Sequence, residues 1–171
     1  MTLPNTLSLA RIAAIPLIIY FLLVPGPNYS LIAAAFFALL CLTDLLDGYL
    51  ARRLDAVSTF GKYIDPLSDK ILVISVLLAL IETRGVSSIP VMIIAAREFT
   101  VTAFRLAAAG ENIVIAADWL GKWKTVTQML AVMFLILSWP YAGIILWIAV
   151  LLTLISGLDY IYRSWGKVFG R

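Results

Sequence analysis

This chain contains no histidine. Imidazole is therefore excluded as general base, as nucleophile activator and as nitrogen ligand to a metal. Any metal site must be built from oxygen. Cysteine is nearly absent too. Cys41 stands alone inside an apolar run, so no intramolecular disulfide can form, and the residue reads as a small buried hydrophobe. Charge is scarce. Of 171 residues, 13% are charged and 63% are hydrophobic, and mean hydropathy is +1.01. A soluble domain is about a quarter charged and about half apolar, so this composition points to an integral membrane protein. The net charge is +3, with its cations spread out; no basic run of the kind that grips nucleic acid is present. Low-complexity segments and internal repeats are missing as well. The first apolar run contains Arg11 and Pro16 and is followed by no A-x-A cleavage pattern, so it is expected to be retained and not removed as a signal peptide.

What is present in quantity is apolar sequence. About 20 apolar residues span a bilayer as a helix, and six segments qualify: residues 6–24, 29–53, 61–83, 88–109, 120–139 and 141–163. None shows the alternation of a β-barrel strand. Short linkers leave no room for a soluble domain, so residues 1–171 are expected to form one transmembrane domain of all-α class with six transmembrane helices. With the N-terminus in the cytoplasm, Arg11, Arg52, Arg53, Lys62, Lys122, Lys124, Arg163, Lys167 and Arg171 all fall at or near cytoplasmic ends, as the distribution of basic residues requires. The opposite connections carry only Arg84, offset by Glu82.

Against this background the stretch from Leu42 to Lys70 is anomalous. It holds Asp44, Asp47, Asp65 and Asp69, with Asp55 between the pairs. On the second helix Asp44, Asp47, Gly48 and Ala51 share one face; on the third, Gly61, Asp65, Ser68 and Asp69 do. A short turn makes the helices antiparallel neighbours, so the two faces can meet in an acidic cleft on the cytoplasmic side, floored by residues with almost no side chain. Like charges 4 Å apart repel by about 4 kcal/mol at an effective dielectric near 20. Protonation or bound cations must relieve this. Two divalent cations would balance four carboxylates, and all-oxygen ligands favour Mg²⁺ or Mn²⁺. Such a site suits phosphoryl chemistry; a carboxylate relay in an ion transporter is the alternative. Asp55, in the turn, reads as a solvated charge.

The pattern D-x-x-D-G-x-x-A-R, eight residues, then G-x-x-x-D-x-x-x-D resembles the defining motif of the CDP-alcohol phosphatidyltransferase family. Here it is carried by Asp44, Asp47, Gly48, Ala51, Arg52, Gly61, Asp65 and Asp69 without departure. The resemblance implies a bundle of six transmembrane helices, usually a homodimer, and a reaction in which a CDP-activated lipid or alcohol meets an acceptor hydroxyl and CMP leaves. By carry-over, Asp44, Asp47 and Asp65 are metal ligands. Asp69 is a ligand of a second metal and the catalytic base. Gly48, Ala51 and Gly61 make close contact with the CDP-lipid.

Arg52 reads either as a phosphate contact or as a solvated helix end, and Asn5 either as a helix cap or as part of the headgroup site. Further along, Arg97, Glu98 and Arg105 lie inside an apolar segment, and Lys122 and Lys124 open the fifth. An unpaired cation at the depth of Arg97 costs at least ~2.5–3.5 kcal/mol, so Glu98, the aspartates or a substrate phosphate must face it. Arg97, Arg105, Lys122 and Lys124 together suit an acceptor that carries its own phosphate. These segments, with residues 4–12 and 156–163, resemble bacterial phosphatidylglycerophosphate synthases. That likeness implies CDP-diacylglycerol as donor, sn-glycerol 3-phosphate as acceptor and the bacterial cytoplasmic membrane as location, with the active site facing the cytoplasm. An inositol phosphate or glycerol-lipid acceptor is the alternative within the family. Tyr160 and Tyr162 read as interface anchors.

Overall fold

The computed structural model describes residues 3–54, 61–110 and 119–169, with side chains at 6, 8–44, 67–108, 110 and 119–164. Among these residues the chain is entirely helical apart from its turns: α1 (Leu3–Leu23), α2 (Pro27–Leu54), α3 (Gly61–Arg84), α4 (Ser88–Gly110), α5 (Trp119–Ile136) and α6 (Ala142–Phe169). The boundaries follow local chemistry. Gly26, at φ 138°, turns the chain into Pro27, whose fixed φ suits the first position of a helix. Gly85, at φ 63°, ends α3 in the left-handed conformation that glycine adopts without strain. The Ser87 hydroxyl accepts from the Ile89 N–H at 3.4 Å and caps α4.

α5 stops at Ile136, three residues before the end expected from the apolar pattern. Ser138 sits at φ 55°, and the Trp139 N–H reaches back to Phe134 O at 2.9 Å. This closing turn satisfies the last carbonyls just ahead of Pro140. α6 runs past Arg163 to Phe169, because no proline interrupts it.

α1 packs on α2 and α3, α5 packs on α6, and α4 joins the two groups through α3 and α6. Ile18, Phe37, Leu77, Ile94, Val132 and Val150 are fully buried where these helices meet, and Cys41 packs half-buried against that core. The outer face of α6 is apolar in turn, with Ile144, Trp147, Ile148, Leu151, Ile155 and Leu158 exposed. By length and composition two described helical stretches can cross a membrane, Pro27–Asp44 and Ala142–Ser164. An apolar exterior on such helices is what a lipid environment selects.

Candidate active site

Arg11 was placed by sequence only as a basic residue near a membrane face, but it lies inside the bundle. It is 2% exposed, and its Nη1 donates to Asp44 Oδ1 at 2.6 Å and to Ser68 Oγ at 3.0 Å. One guanidinium from α1 therefore ties the acidic faces of α2 and α3 together. Asp69, next to Ser68, is paired with Lys70 Nζ at 3.4 Å.

Asp44 and Asp69 line a single open cavity of about 570 Å³, a volume typical of small-molecule sites. Arg97, Arg105, Lys122 and Lys124 line the same cavity. Two of the four motif aspartates and all four cations singled out from sequence are thus brought to one space. Asp69, Lys70, Glu98 and Lys124 also share an adjoining pocket of about 20 Å³, room for roughly one water.

Glu98 organises the cationic side. It is 3% exposed and accepts from Lys124 Nζ at 2.5 Å, Arg97 Nη1 at 3.3 Å and Gln128 Nε2 at 3.3 Å. Gln128 also donates to Thr153 Oγ1 at 2.8 Å, which links α5 to α6. Arg97 reaches α6 directly, through Nε to Thr153 O at 3.1 Å and Nη2 to Ser156 Oγ at 2.9 Å. Of the anions that sequence offered as partners for Arg97, Glu98 is the one in contact among the described residues. Arg105 lies over the Tyr160 ring, 5.4 Å from its centroid, at cation–π distance. Lys122 is exposed. Lys124, 6% exposed, is held by Glu98.

Tyr160 is not an interface anchor. It is 8% exposed and forms part of the cavity wall, whereas Tyr162 on the opposite face is 85% exposed. Two residues along a helix turn a side chain by about 200°, so one tyrosine faces in and its near neighbour out. α1 begins at Leu3, so Asn5 lies within its first turn and not at an N-cap. The side chains of Asn5, Asp47, Gly48, Ala51, Arg52, Gly61 and Asp65 lie outside those described, as does all of Asp55.

Among the described residues no group of three or more carboxylate, thiol or imidazole side chains gathers to hold a metal; two of the four motif aspartates are not among them. The donors that are described, the carboxylates of Asp44 on α2 and Asp69 on α3 with the hydroxyl of Ser68 on α3, are hard oxygen ligands. Their chemistry fits Mg²⁺ or Mn²⁺ and not a soft metal.

Sequence reasoning passed over Arg11, Gln128, Thr153, Ser156 and Tyr160. A signal was available for most of them. Lys124 and Gln128 are four apart on α5, and Thr153, Ser156 and Tyr160 fall at i, i+3 and i+7 on α6, polar stripes in apolar helices.

The model of the CDP-alcohol phosphatidyltransferase family matches residues 1–155. A Bacillus subtilis protein named CDP-diacylglycerol–glycerol-3-phosphate 3-phosphatidyltransferase is 40% identical, covering 95% of this chain and 95% of its own length. Proteins of the same name from Rickettsia bellii, 40% identical over 98% of this chain and 97% of theirs, and Haemophilus influenzae, 34% identical over 97% and 95%, extend the likeness. With the motif complete, two of its aspartates lining one cavity and relatives aligned along nearly their full length, this chain belongs to the CDP-alcohol phosphatidyltransferase family.

Proposed function

We propose that this protein transfers the phosphatidyl group of CDP-diacylglycerol to sn-glycerol 3-phosphate, giving phosphatidylglycerophosphate and CMP, as the names of its relatives describe for them. The observation that carries this reading is the shared cavity, with Asp44 and Asp69 from α2 and α3 and Arg97, Arg105, Lys122 and Lys124 from α4 and α5. An acceptor bearing only hydroxyls gives those cations nothing to hold. Glu98 offsets one of the four charges, and the three that remain more than balance a phosphate monoester, which carries about −1.5 to −2 at neutral pH.

The chain's own residues divide the work. Arg97 and Lys124, fixed by Glu98, and Arg105, seated on Tyr160, hold the acceptor phosphate and direct its free hydroxyl toward α3. Lys122, exposed, draws the anion in. Asp69 takes the hydroxyl proton as oxygen bonds to the phosphorus of the phosphatidyl group; the bond to the CMP oxygen breaks, and CMP leaves with the electron pair. No histidine exists to take that proton. Asn5, Gly48, Ala51, Arg52 and Gly61 form the donor site. Asp44, Asp47, Asp65 and Asp69 would hold divalent cations, two Mg²⁺ or Mn²⁺, which when bound neutralise phosphate charge and acidify a nearby hydroxyl.

In this reading residues 1–171 are one catalytic domain with six membrane spans and both termini in the cytoplasm. The cleft opens to the cytoplasmic face of the bacterial inner membrane, and the enzyme works as a homodimer among membrane lipids. The basic residues at one set of helix ends support the orientation. The test is CMP release by the purified protein with CDP-diacylglycerol, divalent metal and a panel of acceptors. sn-Glycerol 3-phosphate should support turnover, and glycerol and inositol phosphate should not. Comparable turnover with glycerol would refute the reading.

A further inference from the structure

Resting on that reading, the geometry points to Gly157 as the positioning residue that sets Arg97 for the acceptor phosphate. Thr153, Ser156, Gly157 and Tyr160 lie at i, i+3, i+4 and i+7 and share one face of α6. Arg97 crosses this face at Gly157. A Cβ built there would lie 3.0 Å from Arg97 Cγ, 3.0 Å from Nε and 3.5 Å from Cδ. Such contacts are tighter than nearly all those a real Cβ makes, so the stem of Arg97 would have to give by a few tenths of an ångström. Gly110, Gly121 and Gly143 have nothing within 4 Å of the same position, so Gly157 alone among the described helical glycines has its missing side chain replaced by a neighbour. A helix-interior glycine is less favourable than alanine by about 0.8–1 kcal/mol. Here the seat of Arg97 accounts for it.

The notch determines which donors of Arg97 remain for a ligand. Guanidinium has five N–H groups in a planar fork. Nε is spent on Thr153 O, one N–H of Nη2 on Ser156 Oγ and one of Nη1 on Glu98 Oε1. The two left over lie one on each terminal nitrogen, the arrangement that grips a phosphate through two parallel bonds. Bare backbone at 157 lets Nε approach the Thr153 carbonyl one turn earlier. A methyl group would press the stem a few tenths of an ångström off α6, strain that bond and tilt the fork. Gly157 touches no substrate in this account; it acts through Arg97.

The experiment is steady-state CMP release by the full-length protein in detergent, comparing the unmodified chain with Gly157→Ala, Arg97→Ala, the double variant and Gly143→Ala. Helix propensity alone favours alanine at both 143 and 157. Gly157→Ala should raise KM for sn-glycerol 3-phosphate by about tenfold or more, the worth of one charge-assisted contact, while KM for CDP-diacylglycerol stays within about twofold and kcat changes little. Gly143→Ala should change neither. In the Arg97→Ala background, Gly157→Ala should add no further loss, since two residues acting through one contact are non-additive. An unchanged acceptor KM, an equal rise in both KM values, or a Gly157→Ala loss that persists without Arg97 would each overturn the assignment.

Should the unmodified protein fail to use sn-glycerol 3-phosphate, the functional reading falls, and inorganic phosphate tests the positioning by itself. Phosphate should raise the unfolding temperature of the unmodified chain and not that of Arg97→Ala or Gly157→Ala. A full shift in Gly157→Ala, or none in the unmodified chain, refutes the inference.

Discussion

Replacing Glu98 by glutamine keeps the shape of the side chain and removes one negative charge from the centre of the cationic wall. Glu98 is the carboxylate in contact with both Lys124 and Arg97. Arg97 keeps Thr153 O and Ser156 Oγ, so it is not stranded. Lys124 is, because its side chain is 8% exposed and its ammonium is paired with Glu98. Removing one member of a buried ion pair costs about 3–5 kcal/mol. The open cavity beside Lys124 admits water, so the lower end, about 3 kcal/mol, applies. For a chain of this size that corresponds to a fall in unfolding temperature of roughly 6–12 °C.

Thermal unfolding in detergent measures it directly, and two further arms separate charge from packing. Inorganic phosphate should restore much of the loss in Glu98→Gln, since an anion in the cavity replaces the missing counter-charge. Glu98→Gln combined with Lys124→Met should be more stable than Glu98→Gln alone, because deleting both partners of a buried pair is often near neutral. Unaltered stability of Glu98→Gln, or a double variant worse than the single, would refute the view that Glu98 is the counter-ion of this wall.

Arg97→Ala should raise the acceptor KM by roughly ten- to a hundredfold, and Lys122→Ala by less, because Lys122 is exposed; steady-state kinetics with each substrate varied in turn checks both. Asp69→Asn should lower turnover by at least ~10²-fold, the lower figure for a positioned base, while calorimetry still detects CDP-diacylglycerol binding; Asp47→Asn should weaken metal-dependent donor binding itself. In a Cys41→Ser background, single cysteines at Gly26, Ser87 and Ser138 should label from outside intact cells and one at Gly110 should not, a pattern whose reversal would invert the proposed topology.

The helices were legible because apolar runs of bilayer length, punctuated by Gly26-Pro27, Gly85 and Pro140, leave few alternatives. The ends that differed were decided by turn geometry. Ser138 takes up a left-handed conformation that its residue type does not announce, and this shortened α5 by three residues against expectation. The candidate site was legible as stripes. Periodicity put Asp44 with Gly48 on one face and Asp69 with Ser68 on another, the apolar context flagged Arg97 as a cation too deep to stand alone, and Arg105, Lys122 and Lys124 were grouped with it as suited to an acceptor phosphate. What periodicity omits is which stripe faces which. Thr153, Ser156 and Tyr160 are ordinary residues for an apolar helix until α4 is laid against them, and only then do they become the seat of Arg97 and Arg105.

Arg11 shows the same gap with a larger consequence. In sequence it is one basic residue among nine marking a membrane face. In the bundle it lies against the acidic cleft, 2.6 Å from Asp44, and Lys70 stands 3.4 Å from Asp69. Balancing four aspartates with two divalent ions assumed that nothing else neutralised them. Two of the four carboxylates have a protein cation beside them, so part of the repulsion is already relieved by the fold. The case for two metal ions must then rest on chemistry, one charge to stabilise the leaving CMP and one to acidify the attacking hydroxyl, and not on charge balance. Arg11 ties α1 to α2 and α3 through Asp44 and Ser68, beside the cavity that Asp44 lines. It offsets the charge of Asp44 from within the protein, so this part of the acidic cleft does not have to assemble against its own repulsion.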